Sequence, residues 1–379
     1  MVYDVAVAGG GAAGLSAAIT AAKRNKKVVI LEKNDRIGKK LLATGNGRCN
    51  LASALSTKNR FNTDAVEEVF ARVPLSRVFQ FFADLGLVIR EESGRYYPYS
   101  NQASSVLNAL RKGIADIGAE VRCSSKICNI YNNKNFVLDT ESGLIEARNV
   151  VFATGSEAGG GQNSLHLLQG FGHKIVQSRP ALVPLLTDTS YLKGLRGVRA
   201  RVKATIYADG NAVKTVTDEI LFKDNGVTGT AVFELSTALA RQRYAKKVVL
   251  ALDFAPEYSH SELAELFRGK MGLEGVFHKE IAANMIRYAS KQGKQTNAKA
   301  YADAAKNLII EVKGLSSFSL AQVASGGLEI SGFDFTTMES KLCKGLFAAG
   351  EALDVDGDCG GFNLMWAWAS GILAGESVQ

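Results

Sequence analysis

Proline is scarce in this chain, five residues in 379, which argues against long disordered linkers. Cysteine and histidine are scarce as well. The five cysteines, Cys49, Cys123, Cys128, Cys343 and Cys359, form no Cys-x-x-Cys pair, and their odd number opposes a disulfide framework. They read as reduced thiols, and a cytoplasmic location is expected. The four histidines, His166, His173, His260 and His278, have no ligand spacing with a cysteine or with one another, so no metal site is expected. Long apolar runs are few. The uncharged runs 5–22 and 359–375 raise the question of a membrane. The first is broken by four glycines with no basic region before it, and the second is short enough for a buried helix, so neither a span nor a leader is expected.

What the chain does have is 38 glycines, 46% hydrophobic and 22% charged residues, and a net charge of +8. The length allows two or three domains. The excess of positive charge is spread along the chain, with small clusters at 23–27 and 39–40, and fits a solvated surface that attracts anionic ligands.

The most informative stretch is the first. Val5-Ala6-Val7-Ala8 runs into Gly9-Gly10-Gly11-Ala12-Ala13-Gly14, then a small-residue helix, then Val28-Val29-Ile30-Leu31 and Glu32. Strand, Gly-x-Gly-x-x-Gly turn, helix, strand and terminal acid together form a dinucleotide-binding unit. Gly9 permits the tight turn, Gly11 lets backbone approach a pyrophosphate, and Gly14 lets helix pack on strand. The N–H groups and dipole at the helix start receive phosphate charge. Glu32, 18 residues after Gly14, is placed to accept hydrogen bonds from ribose hydroxyls, which favours NAD or FAD over NADP.

Periodicity predicts helix over 61–92 and 103–117, an extended turn at 95–98, and strands between 120 and 151. Strands are expected again over 194–216, 219–222 and 247–254, then helix over 261–311. The predicted architecture is α/β: a Rossmann-like dinucleotide-binding domain in two parts, 1–186 and 321–379, interrupted by a β-barrel-like plus helical insertion at 187–320.

Two later segments select a flavin. Val150-Val151-Phe152-Ala153-Thr154-Gly155 and Gly345-Leu346-Phe347-Ala348-Ala349-Gly350-Glu351 are apolar strands with glycine near their carboxyl ends, where backbone can approach a ligand. Gly360-Gly361-Phe362-Asn363 opens a last helix whose N–H groups could stabilise negative charge on a reduced flavin. NAD alone needs no such arrangement from the far end of the chain.

These segments, with Leu41-Leu42-Ala43-Thr44-Gly45-Asn46-Gly47-Arg48-Cys49-Asn50, Arg179-Pro180-Ala181-Leu182-Val183-Pro184-Leu185, Ala324-Ser325-Gly326-Gly327, Thr337-Met338-Glu339-Ser340-Lys341 and Gly350-Glu351-Ala352-Leu353-Asp354-Val355-Asp356-Gly357, carry a likeness over nearly the whole chain. The chain resembles the BaiN/YhiN-like flavoproteins of the two-dinucleotide-fold superfamily. The resemblance implies non-covalent FAD, and NAD(P)H is expected as a transient electron donor. It places Gly47, Arg48 and Asn50 near the isoalloxazine and the Lys126-Ile127 backbone near adenine. The expected cofactor contacts are Gly9, Gly11, Ala12, Ala13, Gly14, Glu32, Lys33, Lys40, Thr44, Gly45, Asn46, Gly47, Arg48, Asn50, Lys126, Ile127, Ala153, Thr154, Gly155, Gly350, Glu351, Asp356, Gly360, Gly361, Phe362 and Asn363. The segment 155–164 is shorter than the family's and departs from its pattern.

Flavin carries the redox chemistry, so the catalytic candidates among side chains are secondary. Cys49 and Cys359 form either a redox pair or two isolated small residues. Arg48 stabilises a negative flavin or substrate, or makes a structural ion pair. Tyr97 lines the pocket or donates a proton, or is a core or surface aromatic. The expected function is an FAD-dependent oxidoreductase, an NAD(P)H-dependent reductase of an enone-type or carbonyl small molecule. An RNA-modifying flavoenzyme and a non-catalytic flavin-bound sensor are the alternatives. A small-molecule partner is expected ahead of nucleic acid, since no clustered basic–aromatic patch stands out.

Overall fold

The computed structural model describes residues 1–55, 57, 59–162, 164–293 and 297–379. They form two compact units, one of Met1–Arg179 with Val323–Gln379 and the other of Pro180–Gln322. The boundary expected at 186/187 falls inside the strand Leu185–Thr187, so the break comes before that strand.

The first unit is organised by a parallel run of strands in the order Leu346–Ala348, Gly143–Phe152, Val2–Ala8, Val28–Leu31, Glu120–Arg122. Val5, Ala6, Val7 and Ala8 are fully buried, and so are Val150, Val151 and Phe152. Burial on both faces explains why these strands read as continuous apolar runs. Helix Ala12–Lys23 crosses over from Val2–Ala8 to Val28–Leu31. On its other side Val2–Ala8 pairs with Gly143–Phe152, so the strand order reverses there and opens a crevice at the carboxyl ends.

The last helix, Phe362–Ser377, packs on Ala12–Lys23 through glycine. A Cβ on Gly371 would lie 2.3 Å from the Ala13 carbonyl oxygen, and one on Gly375 would lie 2.4 Å from that of Ala17. Trp366 and Trp368 are fully buried in this helix. No helix among the described residues is long and apolar enough to cross a membrane.

The helix expected over 61–92 is instead two helices, Val66–Arg72 and Leu75–Asp84, and a strand, Ile89–Glu92. That strand forms a hairpin with Arg95–Pro98, which the sequence suggested as a turn. Ser93 and Gly94, at φ 53° and 74°, make the two-residue connection that favours a hairpin.

In the second unit, Leu185–Thr187, Gly226–Thr228, Asn211–Lys223, Arg199–Ala208, Val248–Asp253 and Leu308–Leu315 close an antiparallel barrel in that order. Asp209 and Gly210, both with positive φ, turn the hairpin between its two longest strands. Leu308–Leu315 corrects the helical reading of 308–311: its inward Leu308, Ile310 and Val312 alternate with outward residues. Helix Thr230–Arg241 carries no element in the sequence reading; it follows Gly226–Thr228 directly and buries Val232 and Leu235.

Candidate functional site

At the crevice, the Ala153 N–H donates to the Ala8 carbonyl at 2.8 Å, which brings the carboxyl ends of the two central strands together. Gly9 sits here at φ 107°, and a Cβ on it would lie 2.4 Å from the Ala153 carbonyl oxygen. A Cβ on Gly14 would lie 1.9 Å from the Gly9 carbonyl oxygen. A Cβ on Gly11 would meet nothing within 4 Å. Gly9 and Gly14 are therefore demanded by packing, while Gly11 faces open space. Leu15 is the first residue to return a helical hydrogen bond, to the Gly11 carbonyl at 2.9 Å. The N–H groups of Ala12, Ala13 and Gly14 have no intrahelical acceptor.

Glu32, buried at the end of Val28–Leu31, ties this turn to its neighbours. One carboxylate oxygen accepts the Gly10 N–H at 2.8 Å, and the other accepts the N–H and side-chain amide of Asn34 at 2.9 and 2.6 Å. Three acceptor positions are used, and a carboxylate offers about four. Lys33 donates to the Gln162 carbonyl at 2.9 Å, and desolvation lowers its pKa. Lys126 is exposed with its carbonyl taken by Glu141, and Ile127 is buried.

The far end of the crevice is built from three pieces. Gly45, Asn46, Gly47 and Cys49 all have positive φ, so the backbone of 44–50 is tightly coiled. The Asn50 carboxamide oxygen is buried without a hydrogen-bond partner, as is the Thr154 hydroxyl beyond Ala153. Such orphans are costly in a folded protein unless something satisfies them. A Cβ on Gly361, the N-cap of the last helix at φ 100°, would lie 2.7 Å from that Asn50 oxygen. Asn50 is thus held against the start of Phe362–Ser377.

Asn363 fixes the loop before that helix: its carboxamide accepts the Gly357 N–H and donates to the Gly357 carbonyl, both at 2.8 Å. Phe362 packs edge-on against Phe61. Gly360 follows in the same loop at φ 125°. The Gly350 peptide is gripped by the last helix, and Glu351 joins two segments, accepting from Lys40 at 2.6 Å and from the Ala324 N–H at 2.8 Å. Gly155, at φ 71°, has open space where a side chain would be.

The catalytic candidates separate. Arg48 donates to both Glu92 oxygens at 2.7 and 2.8 Å and to Asn101 at 2.9 Å, and lies 4.1 Å over the Tyr97 ring. The hydrogen bond to Glu92 raises the Arg48 pKa and holds Glu92 below the usual carboxylate range. This is the structural ion pair left open by the sequence. Tyr97 is buried beneath it. All five cysteines are free thiols. Cys49 is fully buried, and burial pushes its thiol up to about 12, which removes thiolate character. Cys359 is half-buried.

Sequence reasoning missed Asn62, whose carboxamide accepts the Asp356 N–H and donates to the Asp354 carbonyl, both at 3.0 Å. It also missed the clamp of Trp366 and Ser370 on Gly350. Two tryptophans close behind Gly360-Gly361 were the available signal. Asn62 gave none.

The open cradle at Gly11, the buried acid Glu32, the two orphan oxygens and the helix start at Gly361 fit an extended dinucleotide. They define a dinucleotide-binding enzyme of the Rossmann class. Residues 3–377 match the family described as the HI0933-like protein Rossmann domain. The 3-dehydro-bile acid delta(4,6)-reductase of Clostridium scindens is 30% identical, over 99% of this chain and 98% of its own length. A ribosomal RNA dihydrouridine synthase of Haemophilus influenzae is 25% identical, over 98% of both chains. Among solved structures, the 3-ketosteroid-delta4-(5alpha)-dehydrogenase of Rhodococcus jostii RHA1 shares the fold, with a TM-score of 0.51 and 14% identity over 99% of this chain and 96% of that one. The chain belongs to the HI0933-like family and is an FAD-dependent oxidoreductase.

Proposed function

We propose that the chain is a reductase of a carbon–carbon double bond conjugated to a carbonyl in a small molecule, with NADH or NADPH as electron donor. The observation that carries this reading is the 30% identical relative, matched end to end. Its name places a 3-keto group in conjugation with the bonds it reduces. FAD, when bound, would supply two-electron redox chemistry between donor and acceptor. The chain contributes the rest. Gly9 to Gly14 would hold the pyrophosphate and Glu32 the ribose, and Asn50 and Thr154 would offer their unpaired oxygens to the flavin half. The N-terminus of Phe362–Ser377 would stabilise negative charge on a reduced flavin. Only one Gly-x-Gly-x-x-Gly turn is present in the sequence, so the nicotinamide visits a surface cleft and leaves. The free thiols fit a cytoplasmic setting.

A second reading has its own support. The relative from Haemophilus influenzae is named for forming dihydrouridine in ribosomal RNA. The C5=C6 bond of uracil is also conjugated to a carbonyl, so the same hydride chemistry would serve an RNA substrate.

The test is anaerobic spectrophotometry of the yellow protein. NADH or NADPH should bleach the flavin bands, and a 3-keto-delta4 steroid should restore them while its saturated ketone does not. Flavin that stays oxidised with both nucleotides would sink the donor assignment. Reoxidation by the saturated ketone would point to carbonyl reduction instead.

A further inference from the structure

The positive charge of this chain is unevenly divided. Pro180–Gln322 holds 20 Lys and Arg against 14 Asp and Glu, a net +6 of the chain's +8. Its densest stretch is Arg241-Gln242-Arg243-Tyr244-Ala245-Lys246-Lys247, four cations in seven residues around one aromatic. Helix Thr230–Arg241 ends there, and strand Val248–Asp253 begins immediately after. Tyr244 is 91% exposed, the highest value among the exposed large hydrophobics of the described residues. A single exposed aromatic is ordinary on a protein surface. One set beside two exposed lysines, Lys246 and Lys247, is not, because its ring contributes nothing to the core and lies open next to their charge.

The loop is nonetheless fixed. Asp209, at the tip of the barrel's long hairpin, accepts the N–H groups of Lys246 at 3.1 Å and Lys247 at 2.8 Å. Its own N–H donates to the Lys247 carbonyl at 2.8 Å. The backbone of Lys246 and Lys247, just past Tyr244, is thereby anchored, while the two residues themselves are exposed. The Asp209 carboxylate is turned to main-chain N–H groups.

A solvent-facing ring offers stacking to any unstacked base, and flanking ammonium groups neutralise phosphates on either side. We propose that the Arg241–Lys247 loop is a docking site for single-stranded RNA, with a base stacked on Tyr244 and backbone phosphates on Lys246 and Lys247. The choice of RNA over DNA rests on the second reading above. The docking itself follows from the exposure of Tyr244, the charge of Lys246 and Lys247, and the Asp209 contacts that fix the backbone of those two lysines.

The experiment is fluorescence anisotropy of the flavin-loaded protein with a labelled single-stranded oligouridine, without reductant and across a salt series. Binding should be salt-sensitive. Tyr244→Ala should weaken it by about tenfold, as expected for loss of one stacked base. The K246Q/K247Q variant should lower the slope of log affinity against log salt by about 1.4, from about 0.7 for each phosphate contact on a single strand. Tyr131→Ala, at an exposed tyrosine of the other unit, should change neither. Flavin content and urea midpoint, equal in all variants, guard against misfolding. Absence of wild-type binding, or equal binding by Tyr244→Ala, overturns the proposal. So does stronger binding to anionic phosphatidylserine vesicles at equal phosphate, which would make the loop a membrane contact. A separate assay for dihydrouridine after adding NADPH reads the RNA chemistry, so bound but unreduced RNA would refute that reading and leave the docking site standing.

Discussion

The indole N–H of Trp366 donates to the Gly350 carbonyl at 3.1 Å, and the N–H of the same glycine donates to the Ser370 hydroxyl at 3.0 Å. One residue, just past Leu346–Ala348, is held through both its N–H and its carbonyl by the last helix, in a buried setting. Trp366→Phe keeps most of the ring volume and leaves the Gly350 carbonyl with the Leu353 N–H, at 3.2 Å, as its remaining donor. The expected loss is about 0.5–1.5 kcal/mol of stability, the net value of one hydrogen bond, read from the urea midpoint. Flavin affinity should fall with it, because Gly350 and Glu351 move together. An unchanged midpoint would mean that the Leu353 N–H alone satisfies the carbonyl and the clamp has no structural weight.

The two glycines that let the last helix meet Ala12–Lys23 make a second prediction. Gly-to-Ala exchange inside a helix ordinarily stabilises. At Gly375 the new methyl would lie 2.4 Å from the Ala17 carbonyl oxygen, which is backbone and cannot turn away. Gly375→Ala should therefore destabilise by about 1–3 kcal/mol through overpacking. Thermal unfolding decides the sign, and a raised midpoint would contradict the close helix contact.

Gly11 and Gly14 should behave in opposite ways although they belong to one motif. Gly11 has φ −87° and ψ −169°, open to any residue, with nothing near a new side chain. Gly11→Asp should fold with a near-normal urea midpoint yet purify colourless, since it places a negative group where phosphate belongs. Gly14→Ala should lose stability before the cofactor is considered, because its methyl strikes the Gly9 carbonyl. A Gly11→Asp protein that keeps its full yellow colour would falsify the cradle assignment.

How far the sequence could be read depended on whether the cause of a feature was local. Gly9 to Glu32 was legible because strand, turn, helix and acid follow one another and each residue type has a backbone reason to be there. The insertion was legible as β-rich, but Leu308–Leu315 was absorbed into the preceding helix because Leu-Ile-Ile suits both periods until Val312 and Lys313 declare the alternation. Asn62 was invisible, since its partners Asp354 and Asp356 lie almost three hundred residues away. The Tyr244 segment was passed over for a related reason. A tyrosine between cations reads the same whether its ring is buried or bare, and only the fold shows that it is bare.

Cys49 gives a pH-dependent prediction. Burial raises its thiol from 9.0 to about 12, with a hydrogen bond involving Thr44 opposing the shift. The folded chain therefore keeps this proton at pH values where the unfolded chain releases it. The sign follows: its contribution is fully present below about pH 9 and is lost as pH rises from there toward 12. The slope approaches about 1.4 kcal/mol per pH unit. Urea midpoints of wild type and Cys49→Ala, compared at about pH 8 and about pH 10.5, should show the wild type losing about 2 kcal/mol more than the variant. Iodoacetamide near pH 8 should label exposed Cys128 in the native protein and reach Cys49 only after unfolding. Rapid native alkylation of Cys49 would show a thiolate at the surface of the cleft, and would restore it as a redox candidate beside Cys359.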